Sequence, residues 1–165
     1  MKNGKTVAIV PGSFDPITYG HIDIARRAAE LYETVYLAVM INAQKTYMFN
    51  IEERKSIAQA AVSDIPNVTV ISSEGMLWKL AEELSADAIV KGYRNAVDYE
   101  YETKMAEFNE AHNPMAKTVL LKADRTLEAL SSTTVRAKIE KNESISDYLP
   151  APAASLISQI LSTRL

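Results

Sequence analysis

A parallel α/β domain, with helices on both faces of one sheet, is the fold class this sequence predicts. Three observations lead there. Short apolar runs of strand length alternate with segments of helical period. A polar cluster follows most of those runs. The chain has 165 residues, 47% of them hydrophobic, which is enough for one full core and too little for several domains.

The elements follow in order. Residues 7–10 form a β-branched apolar run, hence a strand. Residues 12–21, Gly-Ser-Phe-Asp-Pro-Ile-Thr-Tyr-Gly-His, read as a small-residue turn opening a helix over residues 22–32. There Ile24, Ala28 and Leu31 recur at i, i+4 and i+7. A second strand is expected at 35–41. Asn50 with Glu53 makes a capping-box start for a helix to about residue 62. A third strand lies at 68–71. A helix over 76–84 carries Leu77, Leu80, Ala81 and Leu84 on one face. A fourth strand at 88–90 precedes a helix whose Tyr101, Met105 and Phe108 space as a buried stripe. A fifth strand lies at 118–121, and a C-terminal helix over about 153–165 follows Pro150 and Pro152. No repeat or linker interrupts the chain, so the expectation is one Rossmann-like domain over residues 1–165.

In such sheets ligands bind beyond the carboxyl ends of the strands, where strand order reverses. The polar clusters at 12–21, 42–45, 91–94 and 124–136 should all open on that edge. A net charge of −3 argues against broad nucleic-acid binding. With no cysteine there is no thiol nucleophile and no cysteine zinc site, which fits a reducing, cytoplasmic setting. No stretch has the length of a membrane span, and the start of the chain lacks a signal-peptide apolar region.

The first cluster is neither a G-x-G-x-x-G fingerprint nor a P-loop. It holds Gly12, for close approach of the chain to a ligand, and Thr18-x-Gly20-His21 at a helix entry, where free N–H groups suit an anion. Ser131-Ser132-Thr133-Thr134-Val135-Arg136 offers hydroxyls and N–H groups at a second helix start. These two motifs resemble the (His/Thr)-x-Gly-His and Ile-Ser-Ser-Thr/Ser-x-x-Arg/Lys signatures of the nucleotidyltransferase superfamily. Lys91-Gly92-Tyr93-Arg94 followed by Asp98-Tyr99-Glu100-Tyr101-Glu102 narrows the likeness. With the Lys45 loop, Met48-Phe49, Glu52-Glu53-Arg54 and Asn109, the chain from about residue 6 to 150 resembles the phosphopantetheine adenylyltransferase family.

The resemblance implies transfer of AMP from ATP to 4′-phosphopantetheine, giving dephospho-coenzyme A and pyrophosphate. It implies that His21, Lys45 and Arg94 are catalytic, stabilising charge on the transferred phosphate. ATP is expected against Ser13, Phe14, His21, Gly92, Tyr93, Arg94, Glu102, Leu127, Glu128, Ala129, Leu130, Ser131, Ser132 and Thr133. Ser13, Lys45, Leu77 and Lys91 are expected to contact phosphopantetheine. The likeness further implies Mg²⁺ carried mainly on the ATP phosphates, coenzyme A as product-side or feedback ligand, and a homohexamer. No protein-bound metal site, nucleic acid or membrane partner is expected. Departures from the family pattern are Lys91 for Arg, Tyr93 for Leu, and no aromatic residue in 125–130.

Read without the resemblance, Lys45 equally fits a solvated surface lysine, Arg94 fits an i+4 pair with Asp98, and Glu102 fits a solvent face beside Lys104. Trp78 and Tyr99 read as packing residues and His112 as a surface or hydrogen-bonded histidine. Two rivals remain: another nucleotidyltransferase, acting on nicotinamide mononucleotide or through CTP, and a nucleotide-sensing module without catalysis.

Overall fold

The computed structural model describes residues 6–165. Five strands, β1 (Val7–Gly12), β2 (Thr34–Met40), β3 (Val68–Ser73), β4 (Ala88–Tyr93) and β5 (Lys117–Lys122), form one parallel sheet in the order β3-β2-β1-β4-β5. Six helices connect or follow them: α1 (Tyr19–Leu31), α2 (Ile51–Ala61), α3 (Leu77–Glu83), α4 (Ala96–His112), α5 (Ser132–Glu140) and α6 (Ala151–Ser162). A single 3-10 turn spans Arg125–Leu127. Among the described residues no helix is long and apolar enough to cross a membrane.

Alternation along the central strands sorts side chains to two cores. Ala8, Val10, Leu37, Val39 and Val90 meet Ile24, Ala25 and Ala28 of α1, Ile57 and Ala58 of α2, and Ile157 of α6. On the opposite face Ile9, Ala38 and Ile89 meet Leu80 and Ala81 of α3. Strand order reverses between β1 and β4. There β1 stays in register with β2 from Val7↔Thr34 through Gly12↔Val39, yet pairs with β4 only at Ala8↔Ala88 and Ile9↔Ile89. Beyond Ile9 the two strands diverge, and the crevice opens in that gap.

All five strands lie where the apolar runs put them. The Asn50 capping box forms as read: the Asn50 side chain accepts from Glu53 N at 2.8 Å and Glu53 Oε1 accepts from Asn50 N at 2.9 Å. Some expectations need correction. Helix α1 starts at Tyr19 rather than residue 22, because its cap is Thr18 and not the first apolar residue. Helix α6 runs over Ala151–Ser162 rather than 153–165, since a proline fits the first turn and Pro152 sits inside it. The stripe Tyr101, Met105 and Phe108 is not buried: Tyr101 is 61% and Phe108 41% exposed, and Asn109 alone on α4 is buried. Helix α4 lies over the β4–β5 end of the sheet, where β5 is an edge strand with no buried residue. Leu31, at the last turn of α1, is likewise exposed. Tyr99 is 47% exposed and meets only the Tyr93 ring edge-on, whereas Trp78 is partly buried against the His112 ring. His112 is exposed and paired, its Nδ1 2.8 Å from Phe108 O.

Candidate functional site

The gap between β1 and β4 leads into a cavity of about 620 Å³. Val10, Pro11 and Gly12 wall it on one side and Val90, Lys91, Gly92 and Tyr93 on the other. The entry of α1 supplies Thr18, Gly20 and His21; the start of α4 supplies Asp98, Tyr101 and Glu102. Leu127, Leu130, Ser131 and Ser132 close it from the segment after β5. Residues distant in sequence therefore share one concave site at the topological switch point.

Gly12 has a steric reason. A Cβ there would stand 2.8 and 2.9 Å from Phe14 ring atoms, so the room it frees is taken by Phe14 rather than left for a ligand. Phe14 is buried with φ 49, a left-handed conformation, and its ring meets His21 edge-on at 5.1 Å between centroids. This packing sets the plane of the imidazole.

His21 is held in one tautomer. Thr18 N donates to His21 Nδ1 at 3.0 Å, so Nδ1 is an acceptor and the neutral ring carries its proton on Nε2. The hydroxyl of Thr18 donates to Leu130 O at 2.9 Å and cannot also donate to the ring. Burial, and secondly the Arg94 charge, lower the His21 pKa to about 4. At neutral pH His21 is thus a neutral Nε2–H donor on the cavity wall. Thr18-x-x-His21 occupies the positions of a capping box with histidine in place of glutamate. That spacing was a readable signal for the tautomer.

Arg94 and Lys91 are ion-paired in this structure. Arg94 Nε lies 3.1 Å from Asp98 Oδ2, the i+4 contact that the spacing allowed. Lys91 is ion-paired with Glu102, which is mostly buried and not on a solvent face. Lys45 is exposed in the loop after β2, its Nζ 3.5 Å from Ser13 Oγ. Ser13 and Lys45 meet each other just beyond the cavity wall. Leu77, first residue of α3, packs against the second core. Glu128, Ala129 and Thr133 also lie outside the residues that wall the cavity.

The Ser131–Arg136 motif ties the loops together. Ser131 caps α5 by accepting from Thr134 N at 3.1 Å, leaving the N–H groups of Ser132 and Thr133 without intrahelical acceptors. Ser132 Oγ donates to Pro16 O at 2.8 Å, and Arg136 Nη1 donates to Asp15 O at 2.8 Å. Buried Asp15 accepts from Met48 N at 2.9 Å and Phe49 N at 3.0 Å. The spacing of Ser131–Arg136 suggested phosphate contact for the hydroxyls. The Ser132 hydroxyl proton instead fixes the first loop, and backbone N–H groups remain for an anion. The scaffolding roles of Asp15 and Arg136 had no sequence signal, since their partners are backbone atoms far along the chain.

Residues 9–138 match the family described as cytidylyltransferase-like. A phosphopantetheine adenylyltransferase of Caldanaerobacter subterraneus subsp. tengcongensis is 41% identical over 144 residues, covering 87% of this chain and 90% of the relative. That of Proteus mirabilis is 36% identical over 160 residues, covering 97% and 99%. In fold the chain is similar to a candidate nicotinate-nucleotide adenylyltransferase of Vibrio parahaemolyticus, with TM-score 0.70, 18% identity and coverage of 94% and 93%. On identity sustained over nearly the whole chain, this protein belongs to the phosphopantetheine adenylyltransferase family of the cytidylyltransferase-like nucleotidyltransferases.

Proposed function

We propose that the protein transfers AMP from ATP to 4′-phosphopantetheine, releasing pyrophosphate and dephospho-coenzyme A. The observation that carries the mechanism is the locked neutral Nε2–H of His21 beside Arg94 and Lys91 at the splayed strand ends. The acceptor phosphate attacks the α-phosphorus in line. A phosphate oxygen is already anionic at neutral pH, so no general base is required. Catalysis is positioning plus charge stabilisation. His21 Nε2–H donates to an oxygen of the α-phosphate. Arg94 exchanges its Asp98 partner for phosphate, and Lys45, reaching across from beside Ser13, meets charge on the transferred group. Lys91 faces the acceptor phosphate. Gly92, Tyr93 and Glu102 line the nucleoside side with Leu127 and Leu130. The α5 N-terminus, with Ser131, Ser132 and Thr133, takes the outer phosphates.

Mg²⁺ enters with the nucleotide. Among the described residues no cluster of three or more carboxylate or histidine side chains could hold a cation. Bound with ATP, it would be held by phosphate oxygens and water and would supply charge neutralisation to the outer phosphates. Coenzyme A and dephospho-coenzyme A are the product-side ligands. Exposed apolar side chains on and after α4, Phe108 and Met115, support burial against further copies in a homohexamer. The whole chain acts as one nucleotidyltransferase domain.

Pyrophosphate release from ATP with and without 4′-phosphopantetheine is the direct test. Release that requires this acceptor, and not nicotinamide mononucleotide or CTP chemistry, supports the reading. Tight ATP binding with no release for any acceptor sinks it.

A further inference from the structure

Arg54, on α2, is the largest fully buried side chain among the described residues and lies outside the cavity wall. A buried guanidinium is costly unless its donors are satisfied. Its acceptors are three backbone carbonyls from three separate segments. Nε donates to Phe49 O at 3.1 Å; Nη1 donates to Ser13 O at 2.8 Å and Met40 O at 3.1 Å. Its plane lies 3.8 Å from the centre of the Tyr47 ring. Tyr47 Oη in turn accepts from Asn42 N at 2.9 Å. Arg54 therefore holds the end of β2, the far end of the Lys45 loop, and the backbone of Ser13 at once. Lys45 lies between Asn42 and Tyr47, and its Nζ meets the Ser13 side chain. Nothing about Arg54 itself faces the cavity.

We infer that Arg54 is a positioning residue: through Tyr47 and the Ser13 carbonyl it fixes the Lys45 loop against the first loop and so sets the geometry for the acceptor. The inference deepens the reading above and rests on it for its kinetic arm. The forked, planar donor set explains the choice of arginine. A lysine carries the same charge on a single point, cannot reach all three carbonyls, and stacks poorly on a ring.

The test uses Arg54→Lys and Tyr47→Phe in the full chain. Tyr47→Phe removes one hydroxyl on a partly exposed ring, so the fold survives even where Arg54→Lys does not. Two readouts are taken. Amide hydrogen exchange should speed by about tenfold in residues 42–49 and stay unchanged in residues 91–94. The KM for 4′-phosphopantetheine should rise by about tenfold in Arg54→Lys, and less in Tyr47→Phe, with the KM for ATP within about twofold of the parent. Equal losses for ATP and acceptor, or unchanged exchange at 42–49, would overturn the inference. So would a lowered melting temperature with intact kinetics, the mark of a purely structural arginine. Should the parent itself show no acceptor-dependent pyrophosphate release, the functional reading falls, and the exchange arm alone decides whether Arg54 positions the loop.

Discussion

Acidification should destabilise this protein through His21 by an amount the site itself predicts. The ring has a folded pKa of about 4 against an ordinary 6.5. Between those values the unfolded chain takes up a proton that the native ring refuses. Stability therefore rises with pH across this window and falls as pH drops from 6.5 towards 4. The shift corresponds to about 3 kcal/mol at 1.36 kcal/mol per pH unit, trimmed to about 2–3 kcal/mol because the ring is only partly buried. The causes are burial of the ring, which disfavours its charged form, and secondly the Arg94 charge. Urea unfolding at pH 7, 5.5 and 4 for the parent and His21→Gln isolates this contribution. Every other ionisable group is common to both proteins, so its contribution cancels in the difference. The parent should lose about 2–3 kcal/mol more than the variant over that range. Parallel stability curves, or a nuclear magnetic resonance titration placing the His21 ring near 6.5, would refute the depressed pKa and the burial that explains it.

Other expectations concern the reaction. His21→Ala should lower kcat by about 10²–10³, the scale of losing one transition-state donor, while ATP binding changes little. Turnover within tenfold of the parent would remove His21 from the chemistry. Asp98→Asn frees Arg94 from its half-exposed pair and should tighten ATP by about two- to fivefold at low salt, fading as ionic strength rises; calorimetric titration showing weaker ATP binding would mean Asp98 serves the nucleotide directly. Lys91→Arg keeps the pair with Glu102 and adds a forked donor, so the acceptor KM should fall by about two- to fivefold. An unchanged acceptor KM would detach position 91 from that phosphate.

The fold was legible because its signals are local. The strand at 35–41 announced itself through Val35, Leu37 and Val39, and it forms as Thr34–Met40 with those three buried. The Asn50–Glu53 box depends on neighbours three residues apart and formed as read. Errors arose where facing depends on the rest of the molecule. Tyr101 and Phe108 have helical spacing, but α4 lies beside an edge strand that offers little to bury them. In the site, the motif residues His21, Lys91, Arg94 and Ser131 converge on one cavity. What stayed hidden were side chains whose partners are backbone atoms. Arg54 stood out only as part of the Glu52-Glu53-Arg54 motif, and Asp15 only as part of the turn at 12–21. Carbonyls and amides are the same at every position, so a residue that binds them leaves no matching partner in the sequence.

Those hidden residues explain how a precise site arises from loops. Loops carry function but hold position poorly unless tied to rigid elements. Here the first loop is tied three ways: Arg136 and Ser132 from α5 bind Asp15 O and Pro16 O, Arg54 from α2 binds Ser13 O, and Thr18 binds Leu130 O. Each anchor comes from a helix or helix entry, or ties two loops that such anchors hold. None of these anchoring hydrogen bonds consumes the His21 Nε2–H or the N–H groups opening α5. The donors directed at substrate are therefore left free by a separate set of side chains that absorbs the cost of ordering the loops before ATP arrives. Preorganisation of this kind requires that loosening an anchor harm turnover more than nucleotide affinity. That asymmetry separates a scaffold built for a transition state from one built only to bind a nucleotide.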